Sequence, residues 1–193
     1  FKLTFRGKNN RGVPLVYNVV HNEYIVDAYI PTSRVVEELI KLKNKISFIH
    51  GYPSAIYSFC KFLKENEIDS KSVFNEQLKG VLLGSEYPAP HYRKLIEEVL
   101  GVPTLSWYGH SEMSVLAYER NEPFQYSPLQ TYGYVESLSS KGDGDNRLIG
   151  TSYYNRNSPF IRYDTGDLIN KEIFEHGILT AFTISSGRVG DFI

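Results

Sequence analysis

Up to Glu119, apolar stretches of strand length alternate with stretches whose apolar residues recur at helical spacing; beyond Glu119, strand-like stretches follow one another. Pro14–Val20 and Tyr24–Ile30 read as two short strands. Thr32 or Ser33 then caps a predicted helix to about Leu42, with Val35, Val36, Leu39 and Ile40 on its inner face. Ile46–His50 reads as a buried strand, and Ser54 opens a helix carrying Ile56, Phe59, Cys60 and Leu63 inward. Gly80–Leu83 is a further strand, residues 90–100 a helix with Tyr92, Ile96, Val99 and Leu100 inward, and Pro103–Tyr108 the next strand.

Strand–helix–strand succession at these spacings predicts an α/β fold: a parallel, doubly wound sheet over residues 1–119. Thr131–Ser137, Arg147–Tyr153, Ile161–Tyr163, Leu168–Ile169 and Leu179–Ile184 predict a smaller antiparallel β-rich subdomain over residues 120–186. A turn at Lys141–Asn146 joins two of these strands. Open parallel sheets bind ligands beyond the carboxyl ends of their strands. Three loops fall there: His50-Gly51-Tyr52-Pro53-Ser54, Gly84-Ser85-Glu86-Tyr87-Pro88 and Tyr108-Gly109-His110-Ser111-Glu112. Each pairs glycine, which admits close backbone approach, with an aromatic ring and a hydroxyl or carboxylate.

Composition narrows the function classes. With 21 Lys plus Arg against 22 Asp plus Glu, the net charge of −1 offers no electrostatic reason to expect nucleic acid or an anionic membrane as partner. No apolar run reaches the roughly 20 residues of a membrane span, and Ile46–Cys60 is broken by His50, Gly51 and Pro53. One cysteine, Cys60, excludes an internal disulfide and a cysteine-based zinc site, and fits a reducing cytoplasm. His50 and His110 lack a third ligand at metal spacing.

Three strings carry chemistry in order: Tyr108-Gly109-His110-Ser111-Glu112, Arg162-Tyr163-Asp164-Thr165-Gly166-Asp167 and Gly187-Arg188-Val189-Gly190-Asp191. They resemble three consecutive core motifs of the adenylate-forming superfamily, and Gly84–Pro88 resembles its adenine loop. His50–Ser54 and Tyr132-Gly133-Tyr134-Val135-Glu136 are similar to the phenylacetate–CoA ligase branch and its CapK-type capsule-biosynthesis relatives. The resemblance spans roughly residues 46–193 and implies an AMP-forming ligase. Such an enzyme joins a small carboxylic acid to ATP as an acyl-adenylate, then makes a coenzyme A thioester.

That chemistry brings two anions together, so it needs a cation and fixed donors. The resemblance implies that Glu112 holds Mg²⁺; its alternative is an acid in the first turn of a helix, favoured by the dipole. Ser111 would donate to the α-phosphate or serve as an N-cap. Asp167 would accept both ribose hydroxyls, and is otherwise a turn aspartate. Tyr108, with Gly109, would pack against adenine, with Gly84, Ser85, Glu86, Tyr87 and Pro88 covering its other side; the alternative for Tyr108 is a core aromatic. Arg188 would contact ribose or phosphate, or is a surface arginine. Tyr52, Pro53 and His110 would wall the carboxylate pocket. Two other readings stay open: an adenylating enzyme with a non-CoA acceptor in polysaccharide biosynthesis, and a non-catalytic nucleotide-binding relative.

The chain opens on Phe1, and its one methionine is Met113. The family's phosphate loop is expected upstream of residue 1. Its small C-terminal domain is expected beyond a hinge that starts at residues 187–193. These 193 residues alone are therefore expected to bind nucleotide weakly and to release no AMP in a carboxylate-dependent assay; AMP release by the isolated piece would overturn this expectation.

Overall fold

In the computed structural model, which describes residues 1–5, 11–42, 45–139 and 144–186, the apolar spacing at Val35, Val36 and Leu39 produces helix α1 (Thr32–Lys41) with those side chains buried. Ile40, at the edge of that stripe, is exposed instead of inward. Helix α2 (Pro53–Glu65) starts with proline at its first position, where a missing N–H costs nothing; it buries Ile56, Phe59, Cys60 and Leu63. Burial pushes the Cys60 thiol up to about 12. A short helix absent from the sequence reading, α3 (Ser70–Phe74), is capped by Asp69, which accepts from the Lys71 N–H at 3.0 Å. Helix α4 (Pro90–Leu100) buries Ile96, Leu100 and Arg93, while Tyr92 and Val99 are only half-buried.

The chain divides into two compact units, Phe1–Leu105 and Ser106–Ile193. In the first, strands β1 (Lys2–Phe5), β2 (Leu15–Asn18), β3 (Glu23–Val26), β4 (Phe48–Gly51) and β5 (Gly80–Leu83) lie in the order β2-β3-β1-β4-β5. β2 pairs antiparallel with β3, and the remaining pairs are parallel. The four residues of β1 are too few to show a period in sequence, yet β1 is central: Leu3 is fully buried with Leu39, Ile49, Ile56, Leu63 and Leu83. Beside it the buried Glu23 carboxylate accepts from Thr4 Oγ1 at 2.6 Å and meets Lys2 Nζ at 3.0 Å, which satisfies an otherwise costly charge.

The second unit is antiparallel throughout. Its strands are β6 (Thr104–Gly109), β7 (Leu116–Glu119), β8 (Gln125–Pro128), β9 (Gly133–Ser139), β10 (Asn146–Ser152), β11 (Tyr163–Glu175) and β12 (Ile178–Ser186), in the order β6-β7-β8-β12-β11-β10-β9. Residues 141–143 of the turn expected at Lys141–Asn146 lie outside the described residues, and the strands flanking it pair as antiparallel neighbours. Of the two strands expected at Ile161–Tyr163 and Leu168–Ile169, Ile161 and Arg162 precede β11 outside any strand, while Tyr163 and Leu168–Ile169 fall in that one strand. A bulge separates them: Ile149 pairs with Asp164 and Arg147 with Leu168, so two steps along β10 face four along β11. Thr165, Gly166 and Asp167 thus stand opposite Leu148 alone, an excess of two residues, with Gly166 at φ 80°. Bulges re-aim side chains in this way.

The fold is thus mixed α/β, parallel in the first unit except for the β2–β3 pair and antiparallel in the second. Among the described residues, no helix is long and apolar enough to cross a membrane.

Gly51 ends β4 at φ 152°, and a Cβ there would collide with the carbonyl oxygen of Phe5 on β1. Alanine is incompatible with both constraints, so Gly51→Ala is expected to lower stability by more than about 1 kcal/mol. The check is a fall in the urea midpoint; an unchanged midpoint would show that β1 and β4 do not approach as described.

Candidate functional site

β6 delivers Tyr108 and Gly109 at its end, and residues 110–115 turn into β7 without forming a helix. The Met113 N–H bonds to the His110 carbonyl at 3.2 Å, and Met113 takes φ 58°. This turn removes two of the alternatives above: Ser111 caps no helix, and Glu112 stands in no first turn. Ser111 is exposed, while Glu112 is half-buried.

Glu112 is held from two sides. Tyr163 donates its hydroxyl to Oε1 at 3.1 Å, and His110 Nδ1 lies 3.1 Å from Oε2. A hydrogen bond from its own backbone N–H holds the Glu112 carboxyl below the usual range against the opposing effect of burial, with further help from Tyr163 and His110. An ionised carboxylate only accepts, so Nδ1 is the protonated nitrogen of His110, and Nε2 meets the buried Ser114 hydroxyl at 3.3 Å. The Tyr163 ring lies between Phe160, at 4.9 Å edge-on, and His110, at 5.8 Å. Ser114 is seated against β9, where its carbonyl fills the space a side chain at Gly133 would need.

Asp167 is engaged in the converse sense. Tyr108 donates its hydroxyl to Asp167 Oδ2 at 2.5 Å. The Tyr108 ring is set edge-on to Tyr126 and Phe182, at 6.4 and 6.1 Å, and Tyr126 is tied to Ser106 at 3.0 Å. Within the bulge, Asp164 Oδ1 accepts from the Gly166 N–H and Thr165 Oγ1 from the Asp167 N–H. Arg147 pairs with the other Asp164 oxygen at 2.5 Å. Two motifs about half a unit apart in sequence are therefore joined by two phenol–carboxylate bonds, each tyrosine serving the other motif's acid.

No family model matches the chain, and no curated protein matches it. Solved structures do. An open conformation of 2-hydroxyisobutyryl-CoA ligase in complex with 2-HIB-AMP and CoA superposes with a TM-score of 0.66 at 19% identity, over 98% of this chain and 45% of that one. MbtA from Mycobacterium smegmatis, in its apo form, gives 0.60 at 13% identity, over 85% and 32%. A malonyl-CoA ligase ternary product complex with methylmalonyl-CoA and AMP gives 0.53 at 15% identity, over 98% and 44%. The fold is that of these ligases. The chain spans less than half the length of the structures it matches.

The loops of the first unit are placed as follows. Tyr52 is exposed at the start of α2, and Pro53 is buried as its first residue. Gly84 and Pro88 are buried; Ser85, at φ 68°, Glu86 and Tyr87 are exposed. The Gly84 N–H bonds to the Gly51 carbonyl at 3.2 Å, and Glu86 accepts from the Ser54 N–H at 3.2 Å. Glu86 thereby satisfies a donor at the start of α2, where Tyr52 supplies no side-chain cap. Arg188 and its motif lie outside the described residues. Among the described residues, no group of three or more His, Cys, Asp or Glu side chains could hold a metal ion.

Sequence reasoning quoted Tyr163 within a motif but assigned it no task, and it missed Ser114 and Arg147 entirely. A tyrosine two residues before Thr-Gly-Asp and a serine two after Glu112 were the signals available.

A carboxylate whose folded value is depressed contributes stability above its ordinary value of 4.5, and loses it as pH falls through the folded value. The stability gap between the native protein and Glu112→Gln is therefore expected to be constant at neutral pH and to shrink below 4.5. Urea unfolding across acid pH measures it; a gap that widens on acidification contradicts the hydrogen bonding described here.

Proposed function

We propose that the chain is part of an AMP-forming, carboxylate-activating ligase of the phenylacetate–CoA ligase kind, with ATP, a small carboxylic acid and coenzyme A as substrates. The observation that carries the reading is the pairing of Glu112 and Asp167, the two acids the resemblance implicates, through tyrosines of each other's motifs. The fold shared with CoA ligases supports it. The strings His50–Ser54 and Tyr132–Glu136 support the phenylacetate–CoA ligase branch and its capsule-linked relatives.

In this reading a substrate carboxylate oxygen attacks the α-phosphorus of ATP; the acyl–phosphate bond forms, the α–β anhydride breaks, and pyrophosphate leaves. The thiol of coenzyme A then displaces AMP. Asp167, an acceptor only, orients the nucleotide through the ribose hydroxyls. The resemblance gives Tyr108 of the second unit to the adenine and Ser111 to the α-phosphate, and gives the Gly84–Pro88 backbone of the first unit a part in adenine binding. It gives His110, and in the first unit Tyr52 and Pro53, a part in binding the acid, and Arg188 a contact with ribose or phosphate.

Glu112 suits Mg²⁺ as a single hard oxygen ligand, since this ion is held by one or two carboxylates together with substrate phosphates rather than by an all-protein cage. When bound, the ion supplies positive charge beside the phosphates.

The test is carboxylate-dependent ATP–pyrophosphate exchange by the full-length protein over a panel of aryl and acyl acids. Exchange with one acid, reduced at least about tenfold in Asp167→Ala by loss of hydrogen bonds to a charged group, is the expected result. ATP binding without exchange for any acid would replace this reading with the non-catalytic one.

A further inference from the structure

The sequence motif gives Tyr108 a ring to lay beside adenine; the structure shows its hydroxyl engaged elsewhere. We propose that Tyr108 is also a positioning residue for Asp167, its phenol fixing the rotation of the carboxylate so that the acid meets a vicinal diol. The inference rests on the reading of Asp167 as the ribose acceptor.

Three observations carry it. The Tyr108 hydroxyl donates to Asp167 Oδ2, joining the end of β6 to the β11 bulge. The phenol has little freedom to leave, because its ring is set edge-on to Phe182 at 90° and to Tyr126 at 62°. Both of those rings are buried, and Tyr126 is itself tied to Ser106. Asp167 needs such a guide, because it sits in the β11 bulge, outside the regular β10 ladder. Its backbone is tied there by a bond from its N–H to Thr165 Oγ1, which leaves the side-chain torsions to be set by what the carboxylate touches. An acid with one oxygen anchored still offers acceptor sites on both oxygens, since an ionised carboxylate has about four. Tyr108 therefore orients the clasp without occupying it. Tyr163 stands in the same relation to Glu112, so the device occurs twice in one unit.

The experiment compares the affinities of AMP and 2′,3′-dideoxy-AMP, by calorimetry, for the full-length protein and for Tyr108→Phe, Asp167→Ala and the double variant, with thermal denaturation to check folding. The native protein is expected to prefer AMP by about tenfold or more, as hydrogen bonds to a charged group allow, and Asp167→Ala to abolish the preference. Tyr108→Phe keeps the ring, so the ratio of AMP to dideoxy-AMP affinity is the readout, and it should fall about threefold or more, within the range of one hydrogen bond. In the double variant, losing the phenol should cost nothing further.

A tyrosine with a merely structural role would weaken both nucleotides alike and add its effect to that of Asp167→Ala; that result overturns the proposal. Full preference in Tyr108→Phe, with loss in Asp167→Ala, also overturns it while leaving the ribose site intact. AMP bound with no preference in the native protein, and none lost in Asp167→Ala, removes the ribose reading itself. Should Tyr108→Phe fail to fold, Asp167→Asn decides: an amide keeps the shape and can still accept the phenol, so retained diol preference supports positioning, and loss equal to that of Asp167→Ala opposes it.

Discussion

Two phenol–carboxylate hydrogen bonds, Tyr108 to Asp167 and Tyr163 to Glu112, set the arrangement of the second unit's chemistry. Each spans more than fifty residues of chain, so each closes a long loop, and closing the second costs little once the first has formed. Hydrogen bonds to charged acceptors are worth about 1.5–3 kcal/mol each, more than the typical neutral bond. Neither works alone: the Tyr108 ring depends on Phe182 and Tyr126, and the Tyr163 ring on Phe160 and His110. Hydrophobic packing thus supplies the direction, and the two bonds transmit it to the acids.

The first unit solves a similar problem by backbone. Its parallel strands end in loops that lack helix-capping side chains, and the donor at the start of α2 is met from the next loop along, by Glu86. The Gly84 N–H to Gly51 carbonyl bond joins the same two loops. A carboxylate quoted for its place in a nucleotide-binding string therefore also has a local structural task. The two roles are compatible, because a carboxylate has acceptor sites to spare.

How much of this was legible in the sequence follows from period and length. Helices α1, α2 and α4 were visible because three turns of apolar spacing cannot arise from a strand, and the buried faces of α2 agree residue for residue. β1, β7 and β8 have four residues each, and they lack the flanking helices that marked out β4 and β5 at the same length; α3 is barely more than one turn. The break in β11 was seen, but it was read as the gap between two strands; local pattern cannot distinguish a gap from a bulge, which is defined by the partner strand. At the site, Tyr108, Glu112 and Asp167 were named from their motifs. That Tyr108 reaches Asp167 and Tyr163 reaches Glu112 depends on strand pairing that no short window contains.

The β11 bulge adds two residues, an even number, against its partner. Because strand side chains alternate between faces, an even excess leaves the phase of everything downstream unchanged. Ile169 stays buried and pairs with Asn146 of β10, while further irregularities follow against β12. Asp167 can thus be displaced from the ladder without inverting the sheet beyond it. An odd excess would turn Ile169 toward water. Arithmetic parity is therefore a constraint on this stretch of chain: loss or gain of one residue between Asp164 and Leu168 would invert Leu168 and Ile169 against β10, whereas change by pairs would be confined to the bulge.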